Sequence, residues 1–92
     1  MQVRFFAYIR NFTGCAEADI PYEENAGALA RSLCDRYGNK LQQKFFPDNK
    51  EDTFGPEIIV LINGRHVCHM GGINAPLTPD DRVDIFPVVA GG

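Results

Sequence analysis

The succession of strand-like and helix-like segments, β-β-α-β-β-β, predicts an α+β domain with a mixed five-stranded sheet and one main helix on one face. Three observations carry this. Two runs of strand-forming residues precede the only sustained amphipathic stretch, and three more apolar runs follow it. The length, 92 residues, suits a single domain spanning 1–92. Folding a chain of this size buries somewhat over ~60% of the unfolded surface. No linker, internal repeat or low-complexity segment interrupts it.

The first run extends from Gln2 to Ile9, with Val3, Phe5, Ala7 and Ile9 on one face and Arg4, Phe6 and Tyr8 on the other. Asn11-Phe12-Thr13-Gly14 reads as a turn. The second run, Cys15 to Tyr22, alternates Ala16, Ala18 and Ile20 against Glu17 and Asp19 and is closed by Pro21. Together they predict an antiparallel hairpin. Asn25 is placed to cap a helix over 26–37, and Gly38 to stop it. Leu29, Leu33 and Tyr37 recur at helical spacing beside Ala30 and Cys34, while Arg31, Asp35 and Arg36 point away. Segment 39–56 carries no sustained period. It reads as a charged loop in which Leu41 and Phe45 anchor one short helical turn before Pro47. Ile58 to Ile62 is apolar at every position, and Asn63-Gly64 is a strong hairpin signal, so Arg65 to Cys68 is expected to pair back. The last strand runs from Arg82 to about Val88. The stretch between the second and third strands is long enough for a crossover in a mixed sheet.

Composition narrows the function. The apolar content of 45% fits a packed globule, and the 23% charged content argues against disorder. A net charge of −3 without any Lys/Arg run argues against a nucleic-acid binder. The opening residues are too short and too punctuated by arginine for a signal peptide, and no apolar run reaches membrane length. A soluble, cytoplasmic protein is expected. Cys15, Cys34 and Cys68 are odd in number and lack C-x-x-C spacing, so free thiols are expected rather than a disulfide framework. His66, Cys68 and His69 invite a metal reading, but a structural zinc needs a second ligand pair, which the chain lacks. Asp80-Asp81 reads as a turn before the last strand. No catalytic constellation or resident cofactor site is evident.

Two features are left over. One helix covers one sheet face, yet the strands are apolar on both: Phe6 and Tyr8 lie opposite the first strand's core set, and Phe86 opposite Val83 and Ile85. Segment 39–56, through Phe45 and Phe46, is one possible cover; a partner site is the reading we favour. The second feature is Gly91-Gly92, after Pro87 and Val88. A carboxylate on two residues without Cβ is thin and free in φ, suited to a tunnel in another protein.

A β-β-α-β-β-β chain with this Gly-Gly resembles the ubiquitin-like β-grasp proteins, and among them the sulfur carriers of the MoaD/ThiS family. VRFFAYIRNFTG resembles the start of the small subunit of molybdopterin synthase, and IIVLINGRHVCHMGGINAPLTPDDRVDIFPVVAGG its second half. The intervening segment resembles a longer, archaeal-type branch. One departure is Val88, where the family usually has a second proline. The resemblance implies that a MoeB/ThiF-like activating enzyme adenylates Gly92 with ATP, Gly91 completing the thin tail. A persulfide on a sulfur donor protein then replaces AMP, leaving a thiocarboxylate. Its sulfur would pass to a pyranopterin held by a MoaE-like large subunit. Catalytic groups would lie on the partners and no cofactor on this chain. The same resemblance puts Phe6, Tyr8, Leu61 and Phe86 on the partner face, and Pro87 and Val88, which lead into the tail, are expected as partner contacts too. Sulfur delivery to thiamine thiazole synthesis and conjugation to proteins through Gly92 stay open as alternatives.

Overall fold

A computed structural model describes residues 1–88. The elements, in chain order, are β1 (Gln2–Phe5), α1 (Ile9–Thr13), β2 (Glu17–Asp19), α2 (Ala26–Tyr37), α3 (Asn39–Phe45), β3 (Ile58–Ile62), β4 (Arg65–His66) and β5 (Arg82–Pro87), with 3₁₀ turns at Val67–His69 and Gly72–Asn74. The sheet order is β2-β1-β5-β3-β4. The central pair β1–β5 is parallel and the other pairings are antiparallel, so this is the mixed β-grasp sheet expected.

Strand alternation sets the core. Val3 and Phe5 of β1, Val83 and Ile85 of β5, and Ile58, Val60 and Ile62 of β3 all point to the helix side and are buried. Leu29, Ala30, Leu33 and Cys34 of α2 close over them. Asn25 caps α2 as its side chain suggests: Oδ1 accepts the Ala28 N–H at 2.8 Å. Gly38, at φ +98°, ends α2 and opens α3. Asn63 and Gly64, both at positive φ, make the β3–β4 turn. Asp81 ties the turn before β5, accepting from the Thr78 N–H at 2.7 Å and from Asn63 Nδ2 at 2.9 Å. Burial works to raise its pKa, but these bonds outweigh it and the carboxyl titrates below its usual range.

Five sequence expectations are corrected. The first strand stops at Phe5 because Ala7 takes φ +52° and breaks the extended run. Residues 9–13 then form α1 instead of a strand end and tight turn; Ile9 stays buried, but as a helix residue. Tyr8 is therefore not on β1 but is the N-cap of α1. The second strand is trimmed to Glu17–Asp19, although Ile20 keeps its buried place. Segment 39–56 is not simply a loop: α3 runs for seven residues. Phe45, Phe46 and Phe54 form an aromatic cluster with ring centroids 5.7–6.2 Å apart. Phe45 and Phe46 enter the helix-side core, so the segment is spent there instead of on the other face of the sheet. Finally, β4 ends at His66, because Val67 turns inward to bury itself.

The α3 segment depends on Gly55. Its N–H donates to the Phe45 carbonyl at 2.8 Å, and an added Cβ would stand 2.5 Å from the Lys44 carbonyl oxygen and 2.7 Å from Pro47 Cδ. Gly55→Ala is expected to cost about 1–3 kcal/mol through that overlap, read as a lowered melting temperature. Among the described residues, no helix is long and apolar enough to cross a membrane.

Candidate functional site

The sheet face turned away from α2 is built by the alternate residues of the same strands. Parallel pairing sets Arg4 opposite Asp84, and Phe6 follows alongside Phe86. Antiparallel pairing sets Ile59 opposite Phe86 and Leu61 opposite Asp84. The result is an apolar patch of Phe6, Phe86, Ile59 and Leu61, each half-buried. Phe6 and Phe86 stack with centroids 4.2 Å apart and planes 9° from parallel. The patch is thus a preassembled surface whose aromatics shelter one another.

Charge frames it. Asp84 is only 5% exposed yet fully engaged, accepting from Arg4 Nε at 2.7 Å and Nη2 at 3.0 Å. The planar fork suits the two-oxygen acceptor. This bond raises the Arg4 pKa above its already high ordinary value. Arg82 approaches the same carboxylate at 3.9 Å. The guanidinium carbons of Arg4 and Arg10 lie 5.4 and 5.8 Å from the Phe6 ring centroid. Arg10 Nε also donates to the Phe5 carbonyl at 2.9 Å, locking the strand-to-helix turn beside the patch. The arginines and Asp84 were not singled out from sequence. The available signal was Asp84 itself, a lone acid between Val83 and Ile85 that demands a cation across the sheet.

Of the residues expected on the partner face, Phe6, Leu61 and Phe86 come together. Tyr8 does not join the stack: its ring packs edge-on to Phe12 at 5.5 Å, with Lys44 Nζ 5.3 Å above it. Lys44 donates to Glu57 Oε2 at 3.0 Å, and this bond, then Tyr8, raises the lysine pKa. The Glu57 carbonyl in turn accepts from the Val88 N–H at 2.9 Å. Tyr8 and Lys44 therefore flank the end of β5 instead of lying on the sheet. Pro87 falls on the helix side opposite Ile58 and is buried, so it does not join the patch. Val88 is 42% exposed. Gly91 and Gly92 lie outside the described residues.

The cysteines are free and dispersed, with Cys34 buried and Cys68 exposed. Burial, then nearby Asp35 and Glu51, pushes the Cys34 pKa up to about 11. The native state thus holds this proton more tightly than the unfolded chain. Its contribution to stability is whole below about 9 and is lost as pH rises through about 11. Alkylation at about pH 8 is expected to label Cys68 first and to reach Cys34 only on unfolding, checked by peptide mass mapping. His66 is engaged locally, its Nδ1 accepting the Cys68 N–H at 3.1 Å. Among the described residues, no cluster of three potential ligands could hold a metal ion.

The model of the ThiS family matches residues 3–92. The chain is 34% identical over 94 residues to small archaeal modifier protein 3 of Haloferax volcanii, covering 100% of this chain and 98% of that one. Its fold matches small archaeal modifier protein 1 of Methanosarcina acetivorans with a TM-score of 0.84 at 29% identity, over 99% and 94% of the two chains. A Pyrococcus furiosus protein assigned as molybdopterin converting factor subunit 1 matches with a TM-score of 0.67 at 26% identity, over 96% and 95%. The chain belongs to the ThiS/MoaD family of ubiquitin-like sulfur carriers and modifiers.

Proposed function

We propose that this chain is a sulfur carrier that delivers sulfur from Gly92 during molybdopterin biosynthesis, acting as the small subunit of the synthase. A MoeB/ThiF-like enzyme adenylates the Gly92 carboxylate with ATP and releases pyrophosphate. The step is needed because a carboxylate is a poor electrophile and AMP is a good leaving group. A persulfide on a donor protein attacks the carbonyl carbon and expels AMP. Reduction of the resulting acyl disulfide by a thiol leaves the thiocarboxylate. A MoaE-like large subunit then presents the pyranopterin acceptor, so that acid–base chemistry resides on the partner. One observation carries the reading: a preassembled aromatic patch, Phe6 on Phe86, lies six residues before Gly92. A partner gripping that patch is positioned to receive the tail. The Pyrococcus furiosus relative supports the molybdopterin assignment.

A second reading is favoured by the 34% identity to a small archaeal modifier protein: Gly92 joined to a lysine amine as an isopeptide. One experiment separates the two. The protein is incubated with the host's activating enzyme, ATP and a sulfur donor, and its intact mass is followed. Exchange of one oxygen for sulfur, then transfer to a pyranopterin, supports the carrier. Adducts to lysines of other proteins without sulfur transfer support the modifier. Replacing Cys15, Cys34 and Cys68 together by serine is expected to leave sulfur loading intact, since the carrier atom is on the Gly92 carbonyl. A folded triple variant that accepts no sulfur would point to a persulfide relay instead.

A further inference from the structure

On the helix side of the sheet, at the end where β5 finishes, a cavity of about 290 Å³ opens between segment 52–55, the start of β3 and the 3₁₀ turns after β4. At its Ile58 wall it faces away from the outer stack, since Ile58 points to the core while its neighbour Ile59 points to Phe86; at the β4 edge it reaches His66, the register partner of Leu61. Its volume approaches that of small-molecule pockets, but it is open and its walls are simple. Phe54, Ile58, Val67 and Ile73 make it apolar, and Asp52 stands at its rim. No lysine or arginine lines it. The one basic group there, His66, accepts the Cys68 N–H through Nδ1 at 3.1 Å.

Charge around the cavity is one-sided. Residues 48–57 contain four acids, Asp48, Glu51, Asp52 and Glu57, against Lys50 alone, which equals the net charge of the whole chain. Glu57 is neutralised by Lys44 at 3.0 Å and Glu51 approaches Arg31 at 3.7 Å, whereas Asp52 forms no ion pair among the described residues. An apolar slot ending in an uncompensated carboxylate has a definite complement: an aliphatic stem carrying a cation. We infer that this cavity is a second docking site, which seats a lysine side chain from a basic segment of a partner protein, its stem against Phe54 and Ile73 and its ammonium on Asp52. Because Ile58 and Phe54 lie across the sheet from Phe6 and Phe86, a partner held here leaves the Phe6–Phe86 stack free. An activating enzyme and a basic partner could then engage the domain together, both near the end of β5.

The test needs neither activation nor sulfur transfer. Amide shifts of the whole chain are followed by NMR during titration with Nα-acetyl-lysine N-methylamide, and with the uncharged norleucine analogue at matched ionic strength. Saturable shifts are expected at Phe54, Val67 and Ile73, with Phe6 and Phe86 unmoved. The lysine compound should bind up to about fivefold tighter than the norleucine one, the scale of an exposed ion pair. Asp52→Asn, an exposed and nearly isosteric change, should remove that advantage and leave norleucine binding as it was. Equal binding of the two compounds, or an advantage that survives Asp52→Asn, would overturn the proposal. So would lysine shifts centred on Asp48, or no saturable shifts at all.

Discussion

Removing Gly92, or extending the chain beyond it with a tag, is expected to abolish formation of the acyl-adenylate while leaving the melting temperature unchanged. In the proposed reaction the electrophile is the Gly92 carboxylate itself, so truncation moves it one residue back and a tag replaces it with an amide. Neither change touches the core, whose buried members lie between Val3 and Ile85. Gly91→Val is expected to be nearly as damaging for a different reason. A β-branched side chain adds bulk and stiffens χ1 at a position that, in the proposed reaction, threads a narrow channel. ATP–pyrophosphate exchange with the activating enzyme reads all three variants. A truncated chain that still supports exchange would remove the basis of the carrier reading.

How much of this was legible in sequence depends on the range of the interaction that decides each feature. Asn25 as a helix cap and Asn63-Gly64 as a hairpin turn could be read directly, because each is settled within a few residues by side-chain oxygen chemistry or by tolerance of positive φ. The end of β1 could not. Alternation continues through Phe5, Ala7 and Ile9, but Ile9 is also four residues from Phe5, so a strand and a turn into a helix both bury Phe5 and Ile9 and differ at Ala7, which is exposed. Only the positive φ of Ala7 decides between them. The anchors Leu41 and Phe45 of α3 were visible at helical spacing, whereas the length of the helix was not. It is supported by Phe54, which packs on Phe45 and Phe46 after a loop. The Arg4–Asp84 pair is the most distant case, joining residues 80 apart in sequence through the parallel β1–β5 pairing. Alternation did place Phe86 opposite Val83 and Ile85, and Pro87 belonged with those two by the same rule.

Phe86→Glu and Val83→Glu put the same charge on opposite sides of one strand, and they are expected to fail in opposite ways. Val83 is fully buried under α2, where an unpaired carboxylate has neither water nor a cation. Val83→Glu is expected to cost over ~4 kcal/mol and to leave the domain largely unfolded at room temperature. Phe86 is half-buried and its main neighbour is the Phe6 ring, 4.2 Å away. Losing that stack costs about 0.5–1.5 kcal/mol beyond the lost area, a fall of several degrees with the fold retained. Binding should respond the other way. An aromatic desolvated at the centre of an interface contributes about 2 kcal/mol or more, so Phe86→Glu should weaken affinity for the activating enzyme at least roughly thirtyfold. The large synthase subunit of the proposed reaction should lose a comparable factor, since in that reaction both partners hold the domain to receive one tail. Melting temperature and partner affinity, measured side by side, separate the cases. Normal binding of both partners by Phe86→Glu would place the docking surface elsewhere on the domain. Unfolding as complete as that of Val83→Glu would mean that the Phe6–Phe86 stack belongs to the core and not to an interface.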